Sequence, residues 1–124
     1  MSLPKIEKVT FLGYADAKEA DDPFKAAFDV GALCAKRGYT VINGGGPGVM
    51  KASTMGAKSA GGRAIGVTFF PKDIPLFEGR DPTNKGDELL VSDTYLERTL
   101  KLLEMGQVYV IFNGGTGTIS EFGM

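Results

Sequence analysis

The stretch "YTVINGGGPGVM", residues 39–50, decides the fold. Its opening residues are aromatic, β-branched or apolar up to Asn43, the composition of a buried strand. Four glycines then fall within five positions: Gly44, Gly45, Gly46 and Gly48. From Val49 a run of small and apolar residues reads as a helix to residue 60, where Gly61 and Gly62 stop it. Strand, glycine turn and helix in that order form the repeating unit of a parallel α/β sheet. Such a turn lets backbone N–H groups approach an anion at the positive end of the helix. The same glycines also suit plain close packing of strand on helix. Neither standard nucleotide motif is present. G-x-G-x-x-G would need glycine at Val49, and the Walker pattern fails because Met50 precedes Lys51.

The alternation extends in both directions. Residues 8–13, "KVTFLG", read as a first strand, and Asp22 before Pro23 reads as the cap of a helix whose Phe24, Ala27, Phe28, Gly31 and Ala35 recur at helical spacing before Gly38 closes it. Residues 63–70 form a third strand, and 71–88 a Pro-, Gly- and charge-rich segment that is a candidate lid. Residues 89–93 are a fourth strand, Thr94 and Glu97 have the spacing of a capping box opening a helix that ends near Gly106, and 107–112 are the fifth strand. Near-continuous apolar strands separated by helices predict one α/β domain, a doubly wound parallel sheet in a Rossmann-like three-layer sandwich. Ligands of such sheets bind beyond the carboxyl ends of the strands, where strand order reverses. That edge holds Gly13, residues 43–48, the start of the 94–105 helix and residues 113–118.

Composition removes several functions. The chain of 124 residues, with 43% hydrophobic and 23% charged residues, has the balance of a globular protein. Lys and Arg total 14 against 15 Asp and Glu, so no net positive field gathers nucleic acid. There is no histidine, which excludes Ser-His-Asp hydrolysis and His-ligated zinc, and the single Cys34 offers neither a disulfide nor a zinc site. It reads as core packing on the first helix. No signal peptide or membrane span is legible, so a cytoplasmic protein without membrane partners is expected.

A second glycine turn, "NGGTGTISE" at 113–121, follows the fifth strand, with Thr116 and Thr118 adding hydroxyls and Glu121 one helical turn beyond Thr118. A carboxylate near a bound phosphate suits a sugar carbon that develops positive charge. It equally suits the first turn of a helix, where the dipole favours it. Arg98, in the first turn after the capping box, is placed either to bind phosphate and orient Glu121 or to sit in solvent. Lys51 and Lys101 read as ordinary exposed helix positions.

Together, Gly44-Gly45-Gly46-x-Gly48-x-Met50, the pair Glu97-Arg98, and Gly114-Gly115-Thr116-Gly117-Thr118-x-x-Glu121 resemble the "lonely guy" family along essentially the whole chain. That family comprises nucleoside 5'-monophosphate phosphoribohydrolases, sometimes named as lysine decarboxylases. Its usual signature has proline where this chain has Asn113, lysine where it has Thr99, often a second glutamate at Ser120 and a small serine at Tyr14. The resemblance implies cleavage of the N-glycosidic bond of an AMP-like nucleotide to free base and ribose 5-phosphate, without metal or other cofactor. Arg98 and Glu121 would be the catalytic pair. Gly13, Gly44, Gly45, Gly46, Gly48, Gly114, Gly115, Thr116, Gly117 and Thr118 would bind the nucleotide and its phosphate. The alternative is a non-catalytic sensor or carrier for a nucleotide or related phosphorylated cofactor. Lysine decarboxylation has no support, because neither glycine motif brings a Schiff-base lysine to the phosphate site. The resemblance also implies a homodimer. Because "SEFGM" ends within the first turns of an expected helix, the chain reads as lacking the family's C-terminal elements.

Overall fold

The structure, a computed structural model, describes residues 6–13, 18–69 and 84–112. Five parallel strands, β1 (Lys8–Leu12), β2 (Thr40–Asn43), β3 (Ala64–Phe69), β4 (Glu88–Ser92) and β5 (Val108–Ile111), alternate with α1 (Asp22–Lys36), α2 (Val49–Ser59) and α3 (Tyr95–Met105). The spatial order is β4-β3-β2-β1-β5. The chain steps outward from β1 to β4, then crosses back to place β5 on the far side of β1, so strand order reverses between β1 and β5. This is the doubly wound parallel sheet expected from the sequence.

Strand alternation sorts the side chains into two cores. Val9, Phe11, Val41 and Ala64 meet Cys34 of α1 and Ala57 of α2, while Leu12, Ile42, Ile65 and Val67 meet Leu102 of α3. The first two helices therefore cover one face and α3 the other, as right-handed crossovers require once the direction of travel reverses. Between α1 and α2 the packing is very close. A Cβ on Gly31 would lie 2.5 Å from Ser53 O, and one on Gly56 would lie 2.0 Å from Phe28 O.

Helix ends follow local chemistry. Asp21, not Asp22, is the cap residue of α1, in extended conformation, with Asp22 already in the first turn and Pro23 beside it. The Asp21 carboxylate turns outward and accepts from Lys18 N at 2.8 Å, so the helix begins one residue earlier than the Asp-Pro spacing suggests. Both α1 and α2 close in Schellman motifs on glycines with positive φ. Tyr39 N and Gly38 N donate to Cys34 O and Ala35 O, and Gly62 N and Gly61 N donate to Ala57 O and Lys58 O. The α3 cap is half a capping box. Thr94 Oγ1 accepts from Glu97 N at 3.1 Å, but the Glu97 carboxylate accepts from Asp93 N rather than returning to Thr94 N. At the other end, Thr10 Oγ1 on β1 donates to Leu102 O at 2.9 Å, tying α3 to an interior strand.

Part of the segment expected to be loosely structured is firmly anchored. Asp87 accepts from Lys58 Nζ at 2.7 Å and from Ala64 N at 2.8 Å, and Asp87 N donates to Ala64 O. Residues 84–87 thus lie on the α2 side of the sheet, entering β4. The candidate lid positions 71–83 lie outside the described residues.

Candidate functional site

β2 ends on Asn43, which is fully buried. Its Nδ2 lies 3.0 Å from Met50 O, 3.0 Å from Ser53 Oγ and 2.7 Å from Thr54 Oγ1, all in the first turns of α2. Its Oδ1 accepts from Gly45 N at 2.9 Å, the two-residue reach of an Asx turn. One carboxamide therefore pins both the glycine turn and the helix that follows it. From the other side, Asn84 Nδ2 donates to Gly46 O at 2.9 Å and to Asn43 Oδ1 at 3.3 Å. Gly45 and Gly48 both have positive φ, 72° and 69°, which lets the turn reverse without Cβ strain. Gly48 opens α2 with no side-chain cap, so the first-turn N–H groups face the carboxyl edge unmet by a capping oxygen.

The β2–β3 ladder pairs Val41 with Ala64, Ile42 with Ile65 and Asn43 with Gly66, and there it stops. The next rung would join Gly44 and Val67. Instead the Arg98 guanidinium occupies the gap, with Nε donating to Val67 O at 3.1 Å and Nη2 to Gly44 O at 3.3 Å. Arg98 is 4% exposed, and its Cζ stands 5.7 Å from the Tyr95 ring centroid. Of the two placements open to it, the solvated one is excluded. This insertion explains Gly44 in steric terms. A Cβ there would lie 1.9 Å from Arg98 Nη2 and 2.9 Å from Met50 Sδ. Gly13, at the end of β1, is fixed by a second close approach, since a Cβ would meet Phe112 Cβ and Val49 Cγ2, each at 2.8 Å.

Gly13, Gly44, Gly45, Gly46, Gly48 and Arg98 thus converge on one edge. Gly114, Gly115, Thr116, Gly117, Thr118 and Glu121 lie outside the described residues. Lys101 is exposed as expected, whereas Lys51 is half-buried. Cys34 is buried in the α1 face of the core, where burial pushes its thiol up and nearby Arg37 opposes the shift. Among the described residues no helix is long and apolar enough to cross a membrane.

The organising role of Asn43 had a readable signal, an asparagine directly before a glycine run. That of Asn84 had none, because its partners lie 38 and 41 positions away. Thr68, buried beside the turn, had none either.

Comparison with known proteins adds relatives to this geometry. The chain is 33% identical over 115 residues to an uncharacterised protein of Archaeoglobus fulgidus, covering 92% of this chain and 72% of that one. It is 36% identical over 96 residues to a Mycobacterium tuberculosis protein named cytokinin riboside 5'-monophosphate phosphoribohydrolase, covering 77% of this chain and 49% of that one. The chain therefore spans about half the length of that relative. The molybdenum cofactor carrier protein of Chlamydomonas reinhardtii shares the fold, with TM-score 0.68, 26% identity, and coverage of 96% of this chain and 70% of that one. A sequence model of the SLOG cluster4 family matches residues 7–124, and the resemblance to "lonely guy" proteins is borne out: the chain belongs to the SLOG cluster4 family.

Proposed function

We propose that this edge binds a nucleoside 5'-monophosphate and hydrolyses its N-glycosidic bond, giving free base and ribose 5-phosphate. The observation that carries the reading is the buried Arg98, braced across Gly44 O and Val67 O beside an uncapped helix N-terminus. A buried cation and helix-start amides that no side chain caps together favour an oxyanion there. The 36% identity to the mycobacterial phosphoribohydrolase supplies the chemistry.

In this mechanism Arg98 and the two glycine turns hold the phosphate end. Departure of the base leaves positive charge on the ribose ring, and the Glu121 carboxylate stabilises that state and aligns the attacking water. The test is incubation with AMP and other nucleoside monophosphates, scoring base and ribose 5-phosphate. Wild-type protein releases both, and Glu121→Gln loses at least about a hundredfold in rate, as expected for a missing transition-state charge. Release that is indifferent to the substitution would overturn the assignment.

A second reading is a carrier that binds a phosphorylated ligand without turnover. The fold-level likeness to the molybdenum cofactor carrier supports it. Binding of AMP without base release would favour it over hydrolysis.

A homodimer completes the proposal. Leu96 and Leu100, one turn apart on the outer side of α3, are 53% and 44% exposed, an apolar strip suited to a second copy. Arg98 sits on the same helix facing inward, so pairing through this strip would brace the site.

A further inference from the structure

Among the described residues, two buried side-chain oxygens have no hydrogen-bond partner, Thr68 Oγ1 and Thr99 Oγ1. A buried hydroxyl without a partner is costly, so each calls for a reason. Thr99 has a local remedy. It lies within α3, where a threonine hydroxyl can turn onto the carbonyl of the preceding turn. Thr68 lies on β3, where backbone carbonyls point along the ladder and no such turn exists. The carbonyl just before it, Val67 O, already accepts from Arg98 Nε.

The position of Thr68 is specific. Ile65 and Val67 face Leu102 on the α3 side, so alternation turns Gly66 and Thr68 to the α2 side. There the glycine turn folds back onto the strand. A Cβ on Gly66 would lie 3.4 Å from Gly45 Cα, and a Cβ on Gly45 would lie 3.7 Å from Thr68 Cβ. Thr68 is therefore the side chain of β3 that stands against the turn, one rung nearer the carboxyl edge than the Gly66–Gly45 contact. It is 1% exposed. Beside it is the start of α2, which no side chain caps, and the Arg98 guanidinium, held on Val67 O and Gly44 O, stands one residue away along β3.

We infer that Thr68 is a ligand-contacting residue whose hydroxyl donates to a phosphoryl oxygen held at the Gly45–Gly48 turn. The inference rests on the reading that this edge binds a phosphorylated nucleotide, and it names a side chain outside both glycine motifs. A neutral O–H suits the position. It adds a donor where backbone amides already point, and unlike a lysine it needs no counter-charge of its own.

The test uses Thr68→Val, nearly isosteric without the hydroxyl, and Thr68→Ser, which keeps it. Affinities for AMP and adenosine are measured by calorimetry, and unfolding is followed on the ligand-free proteins. Thr68→Val is expected to unfold at the same or higher temperature than wild type, because an unpartnered hydroxyl has been removed. Its AMP affinity falls about tenfold or more, the loss of a hydrogen bond to a charged acceptor. Adenosine affinity is unchanged, and Thr68→Ser binds AMP within about threefold of wild type. Should Thr68→Val not fold, Thr68→Ala carries the same comparison. AMP binding within twofold of wild type in the hydroxyl-free variant would sink the contact while leaving the site reading intact. An equal loss for adenosine would move the contact off the phosphate and overturn this assignment. If wild type binds no AMP, the site reading fails and the Thr68 contact with it.

Discussion

Gly44 shows how far a residue's role depends on what approaches it. Its place in a glycine run suggests backbone freedom for an anion, yet its φ is not among the positive ones, and its missing side chain is the space that Arg98 enters. Gly44→Ala is expected to destabilise by about 1–3 kcal/mol, the usual cost of overpacking. In an Arg98→Ala background most of that cost should disappear, because the group the new methyl strikes has gone. A double-mutant cycle in urea tests this, and additive effects would show that the two residues do not share the space. Asn43 is a different case. A single carboxamide reaches three acceptors on α2 and the Gly45 N–H, and Asn84 adds a bond to Gly46 O, so the turn is held by side chains rather than by its own glycines.

At the level of elements, the entry to β4 is set by Asp87, whose carboxylate accepts from Lys58 Nζ and from Ala64 N. The Lys58 hydrogen bond, then the Ala64 amide, hold its carboxyl below the usual carboxylate range. A carboxyl lowered in the folded state stabilises the fold fully above its unfolded pKa, and that contribution is lost as pH falls through the lowered folded value. Asp87→Asn should therefore be less stable than wild type near neutrality, by about 0.2–1 kcal/mol for so exposed a pair. The difference should shrink as pH drops below about 4. Urea titrations across that range decide it. A gap between the proteins that stays constant with pH would mean that Asp87 acts through packing rather than charge. The pair also links the last turn of α2 to the strand after the crossover, which keeps Asn84 within reach of the glycine turn.

For the whole molecule, the reversal of strand order next to β1 has the largest consequence. It sends α3 to the opposite face from α1 and α2, so an arginine from one layer can enter the ladder gap that a helix of the other layer leaves open. On the outer side of α3, Leu96 and Leu100 stand exposed among charged residues. Leu96→Glu with Leu100→Glu should lower the sedimentation mass of a dimeric wild type to that of one chain while the circular dichroism of the fold persists. An unchanged mass would remove α3 from the interface.

Among the described residues, the strands, the helices and the glycine turn at 44–48 were legible from local pattern to within about one residue. Alternation, helical spacing and glycine stops are properties of neighbouring residues, which hold in any chain that buries its apolar faces. The parallel sheet followed from the order of those elements, and the family membership followed from three short motifs in sequence. That Gly13, residues 43–48 and the start of α3 share the carboxyl edge was legible from the alternation; how their side chains engage one another there was not. Arg98 reaches partners 31 and 54 positions away, and Asn84 reaches one 41 positions away. Such contacts depend on strand order, crossover hand and where a ladder ends, and no local period encodes them. The place of Arg98 as a buried brace, the steric reason for Gly44 and the unpartnered hydroxyl of Thr68 belong to the tertiary structure alone, because each exists only once separate layers close over one another.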